Sequence, residues 1–189
     1  MTRVAVIPIR GLSGMTRLSS VLSETDRSAL GTALADRTIR AVHRAGLDCM
    51  VVTSDPSVSQ WATKRCRVAQ DEGDGLSEVV SNAVNHGAQP HWMVLHADLP
   101  LVDAASILRV HDAATRHGAA IVPSIDGGTN AIAGTGEFHF AYGPGSFHAH
   151  LASRASARVL SLKNLALEVD TEAHYSALTA LGFLPSLTS

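Results

Sequence analysis

The chain has 189 residues, a formal net charge of -2, 46% hydrophobic residues and 17% charged residues. This composition predicts a globular protein and excludes a disordered chain, because apolar side chains are frequent enough to form a core. The charge argues against nucleic-acid binding as the main function, while leaving room for a local basic loop that binds phosphate. The length favours one domain over residues 1–189.

The N-terminal apolar run is short and is interrupted by Pro8 and Arg10. No apolar stretch approaches the roughly 20 residues of a membrane span, and a signal-peptide core is missing. Cys49 and Cys66 show neither disulfide nor zinc spacing, so we expect reduced thiols. We therefore expect a cytoplasmic protein with no membrane partner. The oligomeric state stays open, a homodimer included.

Short apolar runs alternate with amphipathic stretches along the first two thirds of the chain. The apolar runs predict strands at 4–9, 48–54, 66–70, 91–97 and 119–124. Helical spacing of apolar residues predicts helices at 24–46, 56–65, 74–87 and 103–118. Strands separated by helices imply βαβ units, and hence an α/β protein whose mostly parallel sheet is covered on both faces.

The pattern changes after residue 124. Segments 126–134 and 140–152 are rich in glycine and small polar residues, so we expect irregular structure there. Thr171 is the predicted N-cap of a final helix. The polar loops at 10–17 and 98–100 both follow predicted strands, as others do, and the carboxyl ends of parallel strands share one edge of a sheet. One active-site edge is therefore predicted.

Asp98 follows the apolar run "MVLHA" directly and precedes Pro100. Turn chemistry explains an Asp-x-Pro sequence in many proteins, but a buried charge costs several kcal/mol unless it is paired or bound to a metal. In "EVDT", Glu168 and Asp170 lie on one face of an extended segment, although Asp170 or Thr171 could simply cap a helix. Together the two acidic clusters favour a site for a hard cation such as Mg²⁺.

Three loops carry groups suited to anions. "RGLSGMTRLS" at 10–19 offers backbone N–H groups and two arginines, but its spacing matches neither a dinucleotide fingerprint nor a P-loop. "GGTN" at 127–130 and "YGPGSF" at 142–147 add hydroxyls and glycines, which equally suit plain turns. The ten histidines form no metal signature, and most are expected at the surface or on helices. We assign His96 no catalytic role.

In order, the segments "RLS", "VVTSDP", "LHADLPL", "DGGTNA", "FAYGPGSFHAHL" and "LALEVDT" resemble the family of 2-phospho-L-lactate or phosphoenolpyruvate guanylyltransferases. The resemblance runs from Val4 to about Leu181. Its most specific part is "GGTNA" with "YGPGSF", because "ADLP" alone would indicate only the wider nucleotidyltransferase superfamily.

The resemblance implies a Rossmann-like nucleotidyltransferase (GT-A-like) three-layer fold. It implies Mg²⁺-dependent transfer of GMP from GTP to the phosphate of phosphoenolpyruvate, 2-phospho-L-lactate or 3-phosphoglycerate. Pyrophosphate is the second product, and the reaction belongs to coenzyme F-420 biosynthesis. GTP and a small phospho-acid are thus the expected partners, with no nucleic acid.

The resemblance also implies residue roles. The metal ligands are Asp98, Glu168 and Asp170. The catalytic residues are Asp98, Asp170 and Arg17. The acceptor-binding residues are Thr129, Asn130, Gly143 and Ser146. The nucleotide-binding residues are Arg10, Gly11, Arg17 and Gly75.

Two positions depart from the family pattern. Met15 stands where the family usually has lysine, and Ser77 stands where it usually has asparagine. The first change removes a cation from a triphosphate site, and losing a charged partner can cost about 2–5 kcal/mol in a buried complex. Two alternatives therefore stay open: a non-catalytic homologue that binds a small phosphorylated ligand, and a sugar-phosphate or molybdopterin nucleotidyltransferase.

Overall fold

The structure is a computed structural model that describes residues 3–12, 15–86 and 90–183. Its strands are β1 Arg3–Pro8, β2 Asp48–Thr53, β3 Arg67–Gln70, β4 His91–Leu95, β5 Ala119–Pro123, β6 Thr129–Thr135 and β7 Arg158–Val159. Its helices are α1 Glu24–Arg44, α2 Pro56–Ala62, α3 Leu76–His86, α4 Ala104–His117, α5 Ser146–Ser153, α6 Lys163–Ala166 and α7 Glu172–Ala180, with a 3-10 turn at Thr16–Leu18. Within the described ranges, no helix is both long and apolar enough to cross a membrane.

The seven strands form one sheet in the order β3-β2-β1-β4-β6-β5-β7. β1 pairs in parallel with β2 and β4, β2 with β3, and β5 with β7. β6 runs antiparallel to both of its neighbours. The predicted α/β class and mostly parallel sheet are therefore confirmed.

Alternate side chains of the strands bury opposite faces of the sheet, as strand geometry requires. Ala5 and Ile7 pack in a core with α1, α2 and α4. Val4 and Val6 pack with α3 on the other face, together with Trp92. Helices cover both faces, which gives the expected three layers.

The prediction of irregular structure at 126–134 is wrong from Thr129 onward, because β6 is an interior strand of the sheet, between β4 and β5. Its sequence "TNAIAGT" includes Asn130 and Gly134, residue types that are depleted in strands, beside three β-branched residues. Gly134 shows why: a Cβ atom there would lie 2.6 Å from the Trp92 ring, so packing demands glycine. The segment 140–152, also expected to be irregular, contains most of α5.

The strand order brings several of the loops singled out in the sequence to one edge of the sheet. β1 and β4 end there, and β6 begins there because it runs the opposite way. The His96 N–H donates to the Asn130 carbonyl at 3.0 Å, which ties the end of β4 to the start of β6. Residues from distant loops therefore meet at this edge.

Candidate functional site

Asp98 lies beyond the end of β4, where the chain turns toward α4. Asp103 caps α4 by accepting the Ser106 N–H at 2.7 Å, so Asp98 does not cap this helix. The Asp98 Oδ1 atom is buried and has no hydrogen-bond partner among the described residues. Burial raises the pKa of Asp98, and nearby His96 opposes that rise. An enclosed carboxylate oxygen without a protein donor fits contact with a cation or ligand.

The acidic segment 168–170 lies beside Asp98. The Val169 N–H donates to the Asp98 carbonyl at 3.1 Å. Glu168 is buried, and burial together with the charges of Asp98, Asp126 and Asp170 raises its pKa to about 7. The backbone of the acidic segment is therefore a direct neighbour of Asp98.

Asp170 is not a helix cap, because Thr171 caps α7 by accepting the His174 N–H at 3.3 Å. Instead, Asp170 forms an ion pair with Arg17, whose Nη1 atom lies 2.5 Å from Asp170 Oδ2. The Arg17 side chain is 70% exposed, so it keeps donors available to solvent or ligand. This ion pair links the first loop to the acidic segment across 153 residues of sequence.

The carboxylates of Asp98, Glu168 and Asp170 fit a divalent cation in donor type, since hard cations prefer oxygen. Burial is the main cause of the raised pKa of Glu168, and repulsion from the neighbouring acids, which a cation would relieve, adds to it. Across residues 3–12, 15–86 and 90–183, however, no three His, Cys, Asp or Glu side chains stand close enough to form an ion site as they are. The ligands are thus of the right kind, but their coordination shell is not preassembled.

A cavity of about 370 Å³ opens between the first loop, α1 and the end of β4. Its lining consists of Pro8, Ile9, Arg10, Gly11, Leu12, Met15, Gly31, Ala35, Leu76, His96, Ala97 and Asp98. Two predicted nucleotide-binding residues, Arg10 and Gly11, are therefore part of it. Gly75 directly precedes the lining residue Leu76. Arg17 is not part of the lining and instead forms its ion pair with Asp170. The part of the first loop at 13–14 falls outside the described residues.

Gly31 lets the first loop lie close against α1. A Cβ atom there would stand 2.2 Å from the Leu12 carbonyl oxygen, well inside contact distance. Met15, at the position where the resemblance expects lysine, has a left-handed backbone with φ 47° and packs partly against the cluster around Leu18. This conformation is uncommon for a residue other than glycine. Met15 therefore lines the cavity at the position where the resemblance implies a cation.

The predicted acceptor residues meet at the start of β6 and the start of α5. The Thr129 and Ser146 hydroxyl oxygens are buried and lie 3.3 Å apart. Gly143 has φ 141°, and its carbonyl accepts the Ser146 N–H at 3.0 Å. The two glycine-containing loops therefore lie next to each other.

Asn130 has a structural role that the sequence did not indicate. Its Nδ2 atom donates to the carbonyls of Leu165 at 3.0 Å and Ala166 at 3.3 Å, which holds α6 against β6. Its Oδ1 atom is buried without a partner among the described residues. Only that oxygen is therefore left to contact a ligand.

Ser77 holds the loop before α5 in place. Its Oγ atom accepts the Tyr142 N–H at 2.8 Å, so the serine serves the backbone. The Tyr142 ring lies 5.6 Å from the His96 ring and 4.8 Å from the His150 ring, centroid to centroid. The Tyr142 hydroxyl and His96 Nε2 are both buried without partners in the described part of the chain. These aromatic groups extend the site from Asp98 to the acceptor loops.

Sequence reasoning missed His96 and His150. His150 is fully buried and His111 is buried as well, both on helices. The signal for His150 was available: it follows Ser146 by four residues on one helix, and such residues share a face. His96 lines the cavity, a position that strand alternation alone left undecided.

Comparison with known proteins agrees with this architecture. Residues 3–175 match the sequence model of the family described as "Guanylyl transferase CofC like". A phosphoenolpyruvate guanylyltransferase from Rubrobacter xylanophilus is 31% identical, covering 96% of each chain. A 2-phospho-L-lactate guanylyltransferase from Methanocorpusculum labreanum is 33% identical, covering 78% of this chain and 66% of its own.

A solved structure described as a nucleotide-diphospho-sugar transferase, from Desulfovibrio desulfuricans, superposes with a TM-score of 0.80. The alignment covers all of this chain and 92% of that one, at 15% identity, so the likeness concerns the fold alone. The fold of nucleotide-dependent transferases and the family match over most of the length lead to one conclusion. The chain belongs to the family of CofC-like guanylyl transferases.

Proposed function

We propose that this chain transfers GMP from GTP to the phosphate group of a small phospho-acid and releases pyrophosphate, as a step in coenzyme F-420 biosynthesis. The observation that carries the proposal is the meeting of Asp98 with segment 168–170 beside the cavity, where an enclosed Asp98 oxygen has no described protein donor. The family match and the names of the relatives support the same reaction.

The reaction forms a bond between an acceptor phosphate oxygen and the α-phosphorus of GTP, and it breaks the bond from that phosphorus to the departing pyrophosphate. No covalent protein nucleophile is needed, because the acceptor phosphate is already ionised at neutral pH. Catalysis then depends on alignment of the two anions and on stabilisation of the leaving group.

The proposed roles follow from position. Arg10 and the backbone at Gly11 bind the triphosphate at the cavity wall. Arg17, exposed beside Asp170, contacts the departing pyrophosphate. Thr129 and Ser146 orient the acceptor through their hydroxyls and the N-terminal end of α5.

Asp98, Glu168 and Asp170 would hold a divalent cation, and we propose Mg²⁺ because oxygen ligands and a phosphate substrate suit it. Such an ion, when bound, screens the repulsion between the two anionic substrates. Two observations support the assignment: the buried Asp98 Oδ1, and the pKa of Glu168, which burial and the neighbouring acids raise.

The acceptor we propose is phosphoenolpyruvate or 2-phospho-L-lactate, with 3-phosphoglycerate third. Each carries a phosphate and a carboxylate on a three-carbon unit, and the names of the relatives favour the first two. We also propose that residues 1–189 act as one catalytic domain in the cytoplasm. The continuous seven-stranded sheet over most of the chain supports the single domain.

The experiment is a pyrophosphate-release assay over a matrix of nucleotides and acceptors, with Mg²⁺ or with excess chelator. We expect release with GTP and a three-carbon phospho-acid, a product mass equal to the acceptor plus a guanylyl group, and loss of activity with chelator. Activity only with sugar phosphates or molybdopterin would contradict the proposed acceptor.

A second candidate function is a binding module without turnover. Met15, at the position of the expected cation, is the observation that favours it. Measurable calorimetric binding of the phospho-acid, with no turnover for any nucleotide and acceptor pair, would support this candidate and overturn the transferase.

A further inference from the structure

His150 is a buried polar residue that the roles above leave unused. It lies on α5 four residues after Ser146, so both side chains face the start of β6. The side chain is fully buried among Phe138, Phe140 and Tyr142, whose rings lie 4.8–6.5 Å from the imidazole. A fully buried imidazole needs partners for both nitrogens, and both are present here.

The backbone fixes the protonation of this ring. The Ala141 N–H donates to His150 Nε2 at 2.8 Å, so Nε2 must offer a lone pair and the ring must be neutral. Nδ1 then carries the hydrogen and donates to Thr129 Oγ1 at 3.0 Å. Burial, with His139 and His96 nearby, lowers the pKa of His150 to about 4, which agrees with a neutral ring.

The His150 N–H sets the direction of the hydrogen bonds at Thr129 and Ser146. The two hydroxyls have two hydrogens, and one is used in the 3.3 Å bond between them. Thr129 Oγ1 already accepts a hydrogen bond from His150, which occupies a lone pair of this oxygen. The second hydroxyl hydrogen of Thr129 and Ser146 has no acceptor on the described residues. The hydroxyl pair therefore presents a donor, which suits an anionic ligand group.

We propose that His150 is a positioning residue for acceptor binding: its Nδ1–H holds the Thr129–Ser146 hydroxyl pair as a donor toward an anionic oxygen of the phospho-acid. The inference rests on the proposed function, because it takes these hydroxyls as part of the acceptor site. His150 itself does not touch the substrate; it acts through Thr129.

Two variants test the role by initial-rate kinetics. In His150→Phe, which keeps an aromatic ring and removes both nitrogens, we expect the KM for phosphoenolpyruvate to rise about ten- to hundredfold, the cost of one misplaced hydrogen bond to a charged group. The KM for GTP should stay within about threefold of the wild-type value, because the change affects contacts to the acceptor alone. His150→Gln can accept from Ala141 and donate to Thr129, so it should restore the KM for the acceptor.

His148→Gln is the matched control, because His148 is exposed on the same helix. Thr129→Val removes the hydroxyl, so adding His150→Phe to it should cause no further loss of acceptor affinity. If His150→Phe does not fold, the comparison of His150→Gln with His150→Ala decides the matter. Thermal denaturation confirms the folded state of each variant.

Calorimetric binding of phosphoenolpyruvate separates this inference from the proposed function. A wild-type protein that neither binds nor guanylylates the phospho-acid would overturn the proposed function, and this inference with it. A wild-type protein that is active, with His150→Phe leaving the acceptor KM unchanged or raising both KM values equally, would overturn the role of His150 alone.

Discussion

At the scale of single residues, a substitution at Asp98 separates a catalytic role from a structural role. Burial raises the pKa of Asp98, so the folded protein disfavours its charge, and the charge adds no stability at neutral pH. We expect Asp98→Asn to lower kcat about 10²- to 10³-fold or more, the usual cost of removing an electrostatic contact to the reacting groups. The melting temperature should not fall.

Steady-state kinetics and thermal denaturation of the same preparation check this prediction. Asp112→Asn is a suitable control, because Asp112 is exposed on α4, away from the cavity lining. Unchanged turnover in Asp98→Asn would remove Asp98 from the mechanism.

Met15 tests whether the missing cation of the first loop matters. Met15→Lys places a charge at the cavity wall, and we expect the Kd for GTP to fall about tenfold or more if no other group replaces it. Thr16→Lys adds the same charge at an exposed neighbouring position and should have a smaller effect. Equal Kd values for the wild type and Met15→Lys, measured by calorimetry, would show that the loop binds phosphate by other means.

His150 makes folding stability depend on pH. Its folded-state pKa of about 4 lies below the ordinary 6.5, so the stability it contributes is present above pH 6.5 and is lost as pH falls toward 4. The loss amounts to at most about 3 kcal/mol. Urea unfolding across this range should show the wild type losing stability relative to His150→Gln. Parallel pH curves for the two proteins would contradict it.

At the scale of elements, the periodicity of apolar residues predicted the helices well, whereas the glycine in β6 led to that strand being missed. The predicted helices 24–46 and 103–118 differ from α1 and α4 by at most two residues at an end, because their apolar faces repeat clearly. β6 was missed because close packing against Trp92 selects a small residue at Gly134, and propensity rules interpret glycine as a turn. Tertiary contacts of this kind leave no local pattern.

The contact between α1 and the first loop gives an element-scale prediction. Gly31→Ala would normally stabilise a helix by about 0.5–1 kcal/mol. Here the added Cβ would meet the Leu12 carbonyl oxygen, so we expect the loop to shift and the Kd for GTP to rise several-fold. Titration of GTP into both proteins measures this. A variant that is more stable and binds GTP normally would show that the loop does not depend on this contact.

At the scale of the whole molecule, sheet topology assembles the site from parts that are distant in sequence. The sequence predicted that polar loops share one edge, and the ends of β1 and β4 do so. It could not predict the ion pair of Arg17 with Asp170, or the packing of His150 beneath Thr129, because each depends on long-range contacts. The sequence indicated which residue types could be functional, but the contacts between them depended on the fold.

The proposed reaction requires that acids from the end of β4 and from segment 168–170 bind one divalent cation beside the substrates. The most direct measurement is anomalous diffraction from crystals grown with GTP and soaked in Mn²⁺, which replaces Mg²⁺ and scatters anomalously. We predict an anomalous peak within coordination distance of carboxylate oxygens from both Asp98 and Asp170, with Arg17 displaced from Asp170. An ordered triphosphate with no such peak, or with the peak away from these two carboxylates, would contradict the account.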